Sequence, residues 1–111
     1  MLVVEDVPLI RMTTVDMVQE TGFDTVEAGD GAEALALLQN DLEIDILLTD
    51  LGLPGMNGRQ LMEEALRLRP EIKIIVASGY STESEAGGAP DVITLTKPFD
   101  LAALRRALTA V

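Results

Sequence analysis

Short apolar runs alternate with amphipathic stretches from one end of this 111-residue chain to the other. A strand covered on one face reads polar–apolar–polar, whereas a run apolar throughout needs cover on both faces. Such runs separated by helix-length segments predict a parallel sheet with helices on either side, an α/β domain. Residues 2–4 form the first run. Pro8 then suits the first turn of a helix carrying Leu9, Ile10, Val15, Met17 and Val18, which Thr21-Gly22 stops. Residues 24–28 alternate and read as strand two, and Asp30 can cap a helix that buries Ala34, Leu35 and Leu38. Residues 44–49 are strand three, followed by the turn-rich Gly52-Leu53-Pro54-Gly55-Met56-Asn57-Gly58. Leu61, Ala65 and Leu68 mark one face of a helix that stops at Pro70. Residues 74–77 and 92–96 are strands four and five, and after Pro98 a last helix aligns Leu101, Leu104 and Leu108.

The helix expected fourth in order, between strands four and five, is poorly encoded. Residues 81–90 hold two glycines and a proline and almost nothing apolar, so a shortened or disordered helix, one turn at 82–86 at best, is expected there. Strands one, three and four are continuously apolar, while strands two and five alternate through Thr25, Glu27, Thr94 and Thr96. Edge strands alternate, so two and five belong at the edges. That predicts a doubly wound, flavodoxin-like five-stranded parallel sheet of order 2-1-3-4-5, formed as one domain over residues 1–111.

Composition removes whole classes of function. No cysteine and no histidine are present, which excludes disulfide scaffolds, thiol nucleophiles, His-based triads and His/Cys zinc sites. Eight basic residues against nineteen acidic ones give a net charge of −11, with no basic stripe to displace counterions from nucleic acid. No apolar run is long enough to insert in a membrane, and the start of the chain has no signal-peptide pattern, so a cytoplasmic location is expected.

Polar residues gather where the strands end. Strand one runs into Glu5-Asp6, strand three into Asp50, strand four into Ser78 and strand five into Lys97. In a parallel sheet these ends share one rim, and ligands bind there at the switch in strand order, here between strands one and three. Each residue alone has an ordinary reading: post-strand acids, a loop cap, a turn serine, a solvated lysine. Their coincidence at four strand ends is what argues for a site. Three carboxylates a few ångströms apart repel and call for a cation. Oxygen donors without histidine suit a hard ion such as Mg²⁺. A carboxylate beside that ion can attack phosphorus, with a lysine and a hydroxyl holding the charge that develops on the phosphoryl oxygens.

The chain resembles the receiver domain of two-component response regulators along essentially its whole length. Val3-Val4-Glu5-Asp6, Thr49-Asp50 with Leu53-Pro54-Gly55-Met56-Asn57-Gly58, Ala77-Ser78-Gly79 and Lys97-Pro98-Phe99 carry the likeness. The resemblance implies that Asp50 accepts a phosphoryl group from a histidine kinase or a histidine phosphotransfer domain. It implies Mg²⁺ held by Asp6, Asp50 and the Gly52 backbone carbonyl, with Glu5 reaching the ion through water. Ser78 and Lys97 then contact the phosphoryl group, and the peptide bond before Pro98 is cis. It fixes neither the cognate kinase nor an oligomeric state, and the module is either free-standing or part of a larger protein.

One departure stands out. Many receivers carry an aromatic residue three positions before the lysine, and here that position is Thr94. Ser78, Thr94 and Tyr80 are the switch candidates, with Tyr80 or the 81–90 segment expected to take over as the two-state element. The Ser-Gly-Tyr sequence and weak fourth helix resemble a group of receivers often attached to sensor kinases. Two other functions compete. A phosphate-indifferent pseudo-receiver that only docks is suggested by Thr94. A small Mg²⁺-dependent phosphatase with an aspartyl-phosphate intermediate lacks the second aspartate it needs, since Gly52 stands two residues after Asp50.

Overall fold

The computed structural model describes residues 1–40, 44–50, 52–53, 55–78, 92–97 and 99–110. The elements run β1 (Leu2–Val4), α1 (Pro8–Glu20), β2 (Val26–Ala28), α2 (Gly31–Gln39), β3 (Ile46–Asp50), α3 (Gly58–Leu68), β4 (Lys73–Ser78), β5 (Val92–Thr96) and α4 (Leu101–Ala110). All neighbouring strands pair in parallel, and the sheet order is β2-β1-β3-β4-β5, as the edge argument requires. Tyr80, the 81–90 segment with its expected short helix, and Pro98 lie outside the described residues.

Strand composition follows from double-sided burial. Along β1, Leu2 and Val4 face one core with Leu47, Ile74 and Val76, covered by Ala34 and Leu38 of α2 and Leu61 and Ala65 of α3. Val3 faces the other with Leu48, Ile75 and Leu95, covered by Val15 and Val18 of α1 and Leu104 of α4. Successive side chains of β1 thus enter opposite layers, and both sets are apolar.

Strand boundaries differ from expectation, and β4 is longer by one residue at each end. β2 begins at Val26 rather than Asp24, because its ladder with the three-residue β1 extends only from Leu2↔Val26 to Val4↔Ala28. β3 begins at Ile46 and runs on to include Asp50, whose partner on β4 is Ala77. In α1 the buried residues are Thr14, Val15 and Val18, while Leu9 is 72% exposed and Ile10 also faces solvent. The helix starts just past the rim of the sheet, so its first turn has no strand beneath it.

α1 starts on Pro8 with no side-chain cap, whereas the starts of α2, α3 and α4 are fixed by side chains. Asp30 Oδ1 accepts from the Glu33 amide at 2.8 Å. Asn57 and Gln60 exchange amide bonds reciprocally, 2.9 and 3.1 Å, so the turn after β3 ends in a capping box. Asp100 Oδ1 likewise accepts from the Ala103 amide at 2.8 Å.

Gly31 is where the β3–α3 connection leans on α2. A Cβ at Gly31 would lie 2.9 Å from Met56 Cβ, closer than real Cβ atoms approach, and 3.0 Å from its sulfur. Ala has the better helix propensity, yet Gly31→Ala is expected to destabilise the protein by about 1–3 kcal/mol through overpacking. Thermal melting checks this, and Gly31→Ala combined with Met56→Ala should recover part of the loss. A single variant as stable as the parent contradicts the contact.

Candidate functional site

β1 and β3 are adjacent at the centre of the sheet, so their C-terminal exits lie side by side. The loop after β1 carries Glu5 and Asp6, β3 closes on Asp50, and the residue after β5 is Lys97. Carboxylate oxygens of Glu5, Asp6 and Asp50 all lie within 4.8 Å of one another. Their exposure is graded: Glu5 is buried, Asp50 half-buried and Asp6 exposed.

Lys97 crosses the rim to meet them. Its Nζ donates to Glu5 Oε2 and to Asp50 Oδ2, both at 2.9 Å. The Lys97 side chain is 22% exposed, against 6% for Glu5 and 16% for Asp50, so the pairings are shielded from bulk water. Burial by itself would lower the Lys97 pKa. Hydrogen bonds and negative charge from Asp50 and Glu5 outweigh that and hold it above the ordinary lysine value. The ammonium is therefore charged throughout the neutral range.

The second oxygens of Glu5 and Asp50 are held by backbone. The Gly52 amide donates to Asp50 Oδ1 at 3.1 Å, so both oxygens of Asp50 have a donor. A Cβ at Gly52 would sit 3.9 Å from that same oxygen, which leaves the approach to Asp50 open. The Val7 amide donates to Glu5 Oε1 at 3.2 Å. Thr49, fully buried, turns its hydroxyl onto the Asp50 carbonyl at 3.0 Å.

Four of the residues singled out from the sequence therefore converge: Glu5, Asp6, Asp50 and Lys97. Gly52 adjoins Asp50 through its backbone. Ser78 ends β4 opposite Thr96, which places its backbone on the same rim. Thr94 lies in mid-strand on β5, half-buried and opposite Val76, away from the rim. Tyr80 lies outside the described residues.

Sequence reasoning passed over Arg11. Its Nη1 donates to the Glu5 carbonyl at 2.8 Å, and its Nε to Glu27 Oε1 on β2 at 3.3 Å. A signal was present, since Arg11 is the only charged residue between Asp6 and Asp16.

Chemically, the cluster offers a hard cation an all-oxygen donor set of three carboxylates in a chain without histidine or cysteine. That set fits Mg²⁺, which favours carboxylate oxygens and retains several waters. Asp50 offers anionic oxygen beside a fixed ammonium, the pairing that carboxylate attack on a phosphoryl group requires.

Residues 1–109 match the family described as the response regulator receiver domain. Among curated proteins, the sensor kinase CckA of Brucella abortus is 36% identical over 104 residues, covering 90% of this chain and 11% of its own length. The chemotaxis protein CheY of Thermotoga maritima is 33% identical over 116 residues, covering 99% of this chain and 94% of its own. The chain thus spans about a tenth of the first relative and nearly all of the second. A solved response regulator receiver protein from Sinorhizobium medicae superposes with a TM-score of 0.89 at 28% identity, covering 98% of this chain and 90% of that one. The receiver domain of the hybrid histidine kinase CckA gives 0.83 at 29% identity, covering 98% and 94%.

Proposed function

Since the chain belongs to the response regulator receiver domain family, we propose that it is a cytoplasmic phosphoacceptor module that receives a phosphoryl group on Asp50. The donor is the phosphohistidine of a histidine kinase or a histidine phosphotransfer protein, and the output is a change of conformation. The observation that carries this reading is the clamp on Asp50. One carboxylate oxygen is held by Lys97 and the other by the Gly52 amide, inside a cluster of three carboxylates.

In the proposed reaction an Asp50 oxygen attacks phosphorus, the new O–P bond forms, and the P–N bond to the donor imidazole breaks. The electron pair leaves with the imidazole nitrogen. Lys97 is already placed against Asp50 and faces the charge that gathers on the phosphoryl oxygens. The Gly52 amide keeps the carboxylate oriented. Ser78 ends the neighbouring strand and is assigned the remaining contact to the phosphoryl group. Asp6, Asp50 and the Gly52 carbonyl are assigned to hold Mg²⁺, with Glu5 reaching it through water, and the ion when bound would neutralise charge on the transferring oxygens. The likeness to part of a sensor kinase supports a kinase as the natural partner.

Incubation with acetyl phosphate separates this reading from a docking-only module. With Mg²⁺ the protein is expected to gain one phosphoryl group by intact mass, labile to hydroxylamine, and with EDTA to gain none. Beryllofluoride should bind under the same Mg²⁺ condition. A chain that takes up neither is a pseudo-receiver, the alternative that Thr94 favours.

A further inference from the structure

We propose that Arg11 is a positioning residue for the cation site, acting through the Glu5–Asp6 peptide; this rests on the reading of that site as a Mg²⁺ centre. Glu5 is pinned at every polar atom. Its amide donates to the Ala28 carbonyl at 3.1 Å, and its carboxylate accepts from Val7 and Lys97. Its carbonyl, the first beyond the β1 ladder, accepts from Arg11 Nη1 at 2.8 Å. A peptide unit is planar, so fixing the Glu5 carbonyl fixes the direction in which the Asp6 amide and Cα leave the strand. Asp6 is the most exposed acid of the cluster, and its side chain accepts no hydrogen bond from another described residue. Its aim into the cluster therefore depends on the backbone beneath it.

The guanidinium suits that task because it is a rigid fork anchored at two points. While Nη1 holds the carbonyl, Nε holds Glu27 on β2, which ties α1, the exit of β1 and the edge strand together. Gly29 leaves room for the fork, since a Cβ there would lie 3.3 Å from Nη1. Glu27 is half exposed, so that ion pair serves as a guide for the fork more than as a source of stability.

Positioning and plain electrostatics give opposite signs, which makes the inference testable. Arg11 is a positive charge beside an acidic cluster, so as a charge alone its removal should tighten Mg²⁺ binding. As a positioning residue its removal should weaken binding by about 10–100-fold, the range for groups that orient metal ligands. Calorimetric titration of MgCl₂ into the metal-free protein reads this directly. Arg11→Ala is expected to bind at least about tenfold more weakly than the parent, and the Asp6 and Val7 amide resonances are expected to shift before any metal is added. Arg11→Lys keeps the charge and loses the fork; it is expected to be weakened too, and it decides the matter should Arg11→Ala fail to fold. Affinity equal to or tighter than the parent's in the folded variants overturns the inference and leaves the functional reading intact. A parent that binds no Mg²⁺ overturns both.

Discussion

Asp50→Asn is expected to lower acyl-phosphate formation by three orders of magnitude or more, about the scale on which removing a catalytic nucleophile acts. The side-chain amide has nearly the shape of the carboxylate but no anionic oxygen, and an amide nitrogen has no lone pair free to attack phosphorus. The fold should survive the change. Lys97 keeps its 2.9 Å partner in Glu5, so the ammonium is not stranded, and the loss amounts to about one hydrogen bond, roughly 1 kcal/mol. Parent and variant compared by intact mass after acetyl phosphate, each with a melting curve, make the measurement. A folded variant that still gains hydroxylamine-labile phosphate at the parental rate moves the acceptor to another residue.

How much of this was legible in the sequence divides along physical lines. β1, β3 and β4 could be read because burial on both faces leaves an uninterrupted apolar run, and that also put β2 and β5 at the edges. Helix starts were legible where the capping residue is local: Asp30 bonds an amide three residues on. Strand length was less so, since β2 begins only where its three-residue partner begins, a property of β1 rather than of β2. The wetted start of α1 was missed for a similar reason. Leu9 and Ile10 are apolar and helical, but they precede the point where the helix passes over the sheet.

The site shows the same divide. That Glu5, Asp6, Asp50 and Lys97 share a rim follows from parallel topology, because every strand of such a sheet ends on the same side. That Lys97 meets Glu5 and Asp50 equally, across separations of 92 and 47 residues, depends on side-chain reach that no local pattern encodes. Arg11 was passed over because its main contact is to a backbone carbonyl. Any residue type provides that acceptor, so no complementary residue marks it in the sequence.

Lys97→Met is expected to expose the second role of that ammonium, as the counter-ion of the cluster when no divalent cation is bound. Met keeps most of the apolar stem and removes the charge, leaving three carboxylates within 4.8 Å without a cation. Breaking a fully buried ion pair costs about 3–5 kcal/mol, and the partial exposure of Lys97 reduces this to about 2. For a domain of this size that lowers the melting temperature by about 10 °C in EDTA. Because the pKa of Lys97 is raised above the ordinary lysine value of 10.5, its stabilising pairings are complete at pH 7 and are lost only as pH rises through the folded value. A neutral buffer therefore compares the parent and the variant cleanly. Mg²⁺ should restore most of the loss in the variant and raise its melting temperature further than the parent's, since in the parent Lys97 already neutralises part of the cluster. Phosphoryl uptake should not return with stability, because the ion replaces the charge within the carboxylates and not the ammonium that faces the incoming group. Equal melting temperatures for parent and variant in EDTA would show that Lys97 does not neutralise the cluster. Full phosphoryl uptake by the Mg²⁺-loaded variant would remove Lys97 from the reaction.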